Sequence, residues 1–285
     1  MISLYGNLIY DKIKYVNSFS KNSSNDSIKQ YEAVGAIGNL VQNFERLNNN
    51  KINIISNIGN DYYGLKIKQH FQKNNNINLE MLKTTDVHTS NATIIIDKSN
   101  TEKTSIVDWG ACRQLNDFIP IQSDWSHICY VDTLPYLKPI DVMRIKQVSN
   151  FVSIDLCKNK TDKAIVDNIL SSLKYIDFMF VSDNEIDNFD FDNDKNHEII
   201  CQKINIRYNT NIIFHHAAGS LFFYNNEILK TEIQRLDSKI DVLGAGDSFC
   251  SAFIDSVIKQ NSYENSIAFS HKHATSIIQN RINNG

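Results

Sequence analysis

Short runs of branched and aromatic apolar residues alternate with helix-length stretches over most of this 285-residue chain, which narrows the folds open to it. Residues 51–57, 127–131, 151–155, 177–181 and 211–215 have the length and composition of buried strands, Phe151-Val152-Ser153-Ile154-Asp155 being representative. Between them, 35–47, 62–73, 138–148, 162–173 and 195–206 read as helices. Strand and helix taking turns predicts an α/β fold: a mainly parallel sheet with helices on both faces. Ligands of such sheets sit beyond the carboxyl ends of the strands. The runs Asn48-Asn49-Asn50 and Asn74-Asn75-Asn76 each close a helical stretch and read as turns rather than linkers. Residues 1–285 are therefore expected to form a single domain.

Two segments break the alternation. Residues 12–33 are polar and rich in Ser and Asn. Residues 90–109 alternate in strand fashion through Thr93-Ile94-Ile95-Ile96-Asp97 and Thr104-Ser105-Ile106-Val107, around a Lys98-Ser99-Asn100-Thr101 turn. Together they are expected to form a small β-sheet lid, the alternative being a pair of surface loops. Exposed strands with an apolar face seek a partner, so the lid is also an expected homodimer contact.

Composition excludes several classes. Hydrophobic residues make up 42% of the chain and charged residues 21%, and no window of about 18 apolar residues exists to span a bilayer. The start, Met1-Ile2-Ser3-Leu4-Tyr5-Gly6, lacks the features of a secretory signal and reads as a strand. Cys112, Cys129, Cys157, Cys201 and Cys250 lie far apart with no Cys-x-x-Cys pair, which suits reduced thiols and a cytoplasmic location. A net charge of -3 without a basic tract argues against nucleic acid and anionic membranes as partners. A small molecule is the expected partner.

The most informative stretch is Asp241-Val242-Leu243-Gly244-Ala245-Gly246-Asp247-Ser248-Phe249. Lys239 to Val242 can end a strand, and Phe249, Cys250, Phe253, Ile254, Val257 and Ile258 recur at helical spacing. The Gly-Ala-Gly turn thus opens a helix, whose first N–H groups lack internal partners and carry partial positive charge. Gly244 and Gly246 let the main chain approach phosphate oxygens, and the amides of Ala245, Gly246 and Asp247 can stabilise charge on a transferring phosphoryl group. Asp247, in the first turn, can take a proton from an attacking hydroxyl. A helix cap and an ordinary tight turn would use the same residues. No Gly-x-x-x-x-Gly-Lys-Ser/Thr loop occurs in the chain, which removes the P-loop kinases.

The nine-residue run resembles the C-terminal signature of the ribokinase-like, phosphofructokinase-B type carbohydrate kinases, commonly Asp-Thr-x-Gly-Ala-Gly-Asp-x-Phe, with Val242 in place of Thr. Other landmarks follow in the family's order. Gly6-Asn7-Leu8-Ile9-Tyr10-Asp11 resembles its first strand, ending in an Asp that binds substrate hydroxyls. Val34-Gly35-Ala36-Ile37-Gly38-Asn39 is similar to its Gly-Gly-x-x-x-Asn segment, where Gly35 and Asn39 would approach the sugar; Val34 replaces the first glycine. Ile58-Gly59-Asn60-Asp61-Tyr62-Tyr63-Gly64 resembles a landmark whose glycines shape a turn. Asn184 and Asp187 match the Asn-x-x-Glu element that organises Mg²⁺ through water, with an Asp for the Glu. Phe214-His215-His216-Ala217-Ala218-Gly219 stands where relatives have Thr-x-Gly-x-x-Gly against the nucleotide, so only Gly219 is retained, and Ala274 would border the adenine.

The resemblance implies a ribokinase-like α/β fold and an ATP- and Mg²⁺-dependent kinase that phosphorylates a sugar or sugar conjugate. Asp247 would be its base and Gly244–Gly246 its anion hole, with a monovalent cation such as K⁺ beside Asp241. Within the family, the stretch Asp61 to Lys68 and Leu243 look closest to fructoselysine 6-kinases. A nucleoside kinase, with Tyr15, Phe19 or Trp109 stacking on a base, and a non-catalytic sugar sensor are the alternatives.

Overall fold

A computed structural model of the protein describes residues 1–47, 50–100, 102–129, 137–156, 163–189, 194–233 and 243–284. The first half of the chain contributes β1 (Ile2–Tyr5), β2 (Leu8–Val16), β3 (Ser27–Ala36), α1 (Ile37–Leu47), β4 (Ile52–Gly59) and α2 (Tyr62–Phe71). These are followed by β5 (Ile77–Asn78), β6 (Leu82–Thr85), β7 (Asn91–Asp97), β8 (Lys103–Asp108), β9 (Ser123–Cys129) and α3 (Pro139–Gln147). The second half adds β10 (Ser149–Asp155), α4 (Lys163–Ser172), β11 (Phe178–Ser182), α5 (Asp183–Ile186) and α6 (His197–Tyr208). It closes with β12 (Asn211–His216), β13 (Gly219–Tyr224), β14 (Glu227–Glu232), α7 (Ala245–Ile258) and α8 (Tyr263–Asn284).

The large sheet has the order β14-β13-β12-β11-β10-β9-β1-β4-β5, with β6 also on β4. Pairings from β5 to β12 are parallel, and β13 and β14 continue the sheet antiparallel. The five expected strands are β4, β9, β10, β11 and β12, and the five expected helices are α1, α2, α3, α4 and α6. Residues 130 and 131 of the second expected strand, and the strand expected before Gly244, lie outside the described residues.

Alternation along the strands sends apolar side chains to both faces, as a sheet covered on both sides requires. Ile2, Leu4, Trp125, Phe178 and Phe180 pack against α1, α7 and α8 through Phe44, Phe253 and Ile267. On the opposite face Ile128, Ile154, Met179 and Ile212 pack against Val142 and Ile145 of α3, Val166 and Ile169 of α4, and Ile200 and Ile204 of α6. Trp125 is fully buried between Phe151 and Phe178, and its Nε1–H donates to Ser153 Oγ at 2.7 Å. Burial of each large side chain of this kind stabilises the fold by about 1.5–3 kcal/mol.

A second sheet of order β3-β2-β7-β8 lies apart from the first, in the chain regions that break the alternation. Ile9, Ile13, Ala92, Ile94 and Ile96 give it an apolar cluster of its own. The expected bounds need correction on the amino-terminal side: the hairpin starts at Leu8 and ends at Ala36, beyond 12–33 at both ends. Asp11 accordingly lies inside β2, not at the end of the first strand. The chain leaves the large sheet at Gly6, where a Cβ would come within 2.8 Å of Ile37 Cγ2 and 3.0 Å of Cys129 Cβ. Only a residue without a side chain lets the backbone cross there. Among the described residues no helix is long and apolar enough to cross a membrane.

Candidate active site

Gly244 precedes the first residue of α7 in the left-handed region, at φ 73°, a conformation that disfavours side chains. No side chain caps this helix start. The expected Gly-Ala-Gly helix opening is therefore present, and the first amides of α7 have no acceptor within the helix. A Cβ on Gly246 would meet only His215 Cε1, at 3.7 Å, so the space before this turn is open.

Asp247 Oδ2 accepts a hydrogen bond from Asn39 Nδ2 at 3.0 Å, across 208 positions of sequence. One residue on, Ser248 Oγ donates to Asn43 Oδ1 at 3.2 Å, and Asn43 Nδ2 donates to the carbonyl of Asn39 at 2.9 Å. This ladder fixes α1 against α7 and aims the Asn39 amide. Gly35 pairs with Ile9 across β2–β3, diagonal to Asp11, and any side chain on it would collide with the Asp11 carboxylate. Val34 fills space that Gly38 leaves, since a Cβ on Gly38 would sit 2.7 Å from Val34 Cγ1. The packing here thus accommodates the branched residue that replaces glycine.

Asp11 is buried, and its pKa is raised to about 7. Burial is the main cause; the Lys103 ammonium of β8 opposes it, and the Asp247 charge adds to it. Asp11 and Asp247 thus share one electrostatic neighbourhood. Lys103 has no signal in the sequence, because only the pairing of β8 on β7 brings it there.

Other expected site residues are placed differently. Asn184 and Asp187 lie at the short helix α5 beyond the end of β11, both exposed, with Asp187 Oδ1 2.7 Å from His197 Nε2. Glu185 between them turns inward and caps its own helix through the Ser182 amide and hydroxyl, both at 2.7 Å. Gly219 (φ +145°) starts β13 where a Cβ would collide with the Thr231 carbonyl, so strand packing alone demands glycine. Ala274 is half-buried against the α7 side of the core. Asp241 lies outside the described residues.

Asp61, as expected for a structural landmark, caps α2 by accepting from Gly64 N at 2.8 Å and also from Thr89 N at 2.7 Å. His215 is not among the expected site residues, yet its ring lies 5.6 Å from that of Phe249 and faces Gly246. Strand alternation from buried Phe214 is the signal that assigns it to the α7 face. His271 of α8 joins this group, with Nε2 2.8 Å from Ser220 Oγ and its ring 4.9 Å from Phe249. Burial lowers the pKa of both histidines to about 4, keeping them neutral.

The sequence matches a family described as "pfkB family carbohydrate kinase" over residues 1–282. No curated protein matches it. Among solved structures, ribokinase from Thermotoga maritima is similar at a TM-score of 0.78 and 20% identity, covering 96% of this chain and 91% of that one. A nucleoside kinase from Methanocaldococcus jannaschii gives a TM-score of 0.73 and 18% identity, covering 98% and 91%. Arabidopsis thaliana ribokinase, solved with ribose and ATP, gives 0.74 and 14%, covering 98% and 92%.

Proposed function

Since the chain belongs to the pfkB family of carbohydrate kinases, ATP-dependent enzymes, we propose that it transfers the γ-phosphoryl group of ATP to a hydroxyl of a sugar or sugar conjugate. A fructosamine such as fructoselysine is the first acceptor to test. The reading is carried by the contact between Asn39 and Asp247 at the glycine-built start of α7, with Asp11 close enough to feel the Asp247 charge.

In this reading Asp11 and the Asn39 amide hold adjacent sugar hydroxyls. Asp247 accepts the proton of the attacking hydroxyl as its oxygen bonds to the γ-phosphorus and the bond to the β-phosphate bridging oxygen breaks, releasing ADP. The amides at the start of α7 stabilise the charge that spreads over the transferring group. Asn184 and Asp187 are exposed and would hold a hydrated Mg²⁺ through their side-chain oxygens, Asp187 with one oxygen already against His197; the ion when bound would neutralise phosphate charge. A monovalent cation is proposed beside Asp241. The second sheet, carrying Asp11, acts as the lid that keeps water from the phosphates.

The test is ADP formation with ATP and Mg²⁺ against a panel of sugars, fructosamines and nucleosides. One acceptor should support turnover, and Asp247→Asn should lower it by about 10²–10⁴-fold while the circular dichroism spectrum is unchanged. Preference for a nucleoside would redirect the substrate assignment. Absence of both turnover and ATP binding would leave a non-catalytic sugar-binding protein.

A further inference from the structure

Beneath the amino-terminal half of α7, the sheet presents polar and thiol groups where aromatic packing would be expected. In the parallel pairing of β9 with β10, His127 lies opposite Ser153 and Cys129 opposite Asp155. Cys250 descends onto this patch from α7, three residues after Asp247. The ligand atoms of His127, Asp155 and Cys250 lie within 4.8 Å of one another, and all three residues are buried. The proposed phosphoryl-transfer mechanism uses none of them.

We propose that His127, Asp155 and Cys250 form a binding site for a zinc-like divalent cation, distinct from the Mg²⁺ that accompanies ATP. The donor set carries the choice of metal. One imidazole nitrogen, one carboxylate oxygen and one thiolate suit Zn²⁺, whereas Mg²⁺ takes oxygen ligands almost exclusively. Donor atoms this close can reach tetrahedral ligand spacing around one ion once the side chains rotate to aim their lone pairs at it.

The histidine is already oriented. Its Nδ1 is 2.8 Å from Ser153 Oγ, which also accepts the Trp125 Nε1–H at 2.7 Å. With Nδ1–H donating to that hydroxyl, Nε2 presents its lone pair; such outer hydrogen bonds commonly fix ligating histidines. Cys250 Sγ lies 3.9 Å from both ring nitrogens. Metal entry displaces the thiol proton to solvent, and the carboxylate and thiolate together balance the two positive charges. The fourth position is left for water. An ion here would tie β9 and β10 to the helix that carries Asp247.

The test uses the full-length wild-type chain, stripped with chelator and titrated with Zn²⁺ against a chromophoric competitor, then with Co²⁺. The expected result is about one tightly held Zn²⁺ per chain. Co²⁺ should give the intense d–d bands of a tetrahedral site and a thiolate-to-cobalt charge-transfer band. Cys250→Ser should abolish the charge-transfer band, and Cys112→Ser, which removes a buried thiol elsewhere, should keep it. Should Cys250→Ser fail to fold, the wild-type cobalt spectrum decides alone. No Zn²⁺ retention, a cobalt spectrum of octahedral oxygen type, or loss of the band in Cys112→Ser would each overturn the proposal.

Discussion

Asp11 folds at a cost that depends on pH. Its carboxyl is raised to about 7 in the folded chain, above its ordinary value of 3.8, so the native state holds a proton that the unfolded chain releases. The associated stability is fully present below about pH 4 and is lost as pH rises through about 7. Asp11→Asn should therefore melt several degrees above the wild type at about pH 8 and level with it near pH 4. The gap in stability is bounded above by ~1.4 kcal/mol for each pH unit separating the folded and unfolded values. Thermal denaturation across this range checks the sign; equal differences in Tm at both ends would show that packing, not charge, sets the effect. The same variant should bind the acceptor more weakly, since one of the two accepting oxygens is replaced by an NH₂ group that can only donate. The helix-opening turn at Gly244, Gly246 and Asp247 was legible in the sequence because it is local, whereas the Asn39–Asp247 contact joins residues 208 positions apart. His215 and Lys103 were not, because each reaches the site from a strand whose neighbours only the folded sheet supplies.

At the scale of elements, the two glycines that open α7 make different demands. Gly244→Ala places a Cβ in the left-handed region and should cost about 1–2 kcal/mol in a denaturant titration. Gly246→Ala meets no atom closer than 3.7 Å and should leave stability within about 0.5 kcal/mol. If phosphate occupies that space, its KM for ATP should rise several-fold with little change in kcat; an unchanged KM would place the nucleotide elsewhere. Helices and parallel strands of the large sheet were legible because apolar periodicity reports directly on burial. The limits of the second sheet were not. Its amino-terminal hairpin mixes Lys12, Lys14 and Lys29 with buried Ile9 and Ile13, and whether such a segment pairs is decided by its partner strand β7.

For the molecule as a whole, the second sheet ends in two edges, β3 and β8, whose residues Ile28, Tyr31 and Ile106 are exposed. Edges of this kind invite pairing with a second copy. Sedimentation velocity at micromolar concentration should therefore find a dimer, and Ile106→Asp should shift it towards monomer; a monomeric wild type would remove the expectation. The contact between Asn39 and Asp247 has a different consequence, for synthesis on the ribosome. In the proposed reading Asp11 and Asn39, which would hold the acceptor, emerge early, while the turn that would hold phosphate is translated some two hundred residues later. A chain terminated before α7 would then lack both the base and the amides that would hold phosphate, so incomplete products would not consume ATP.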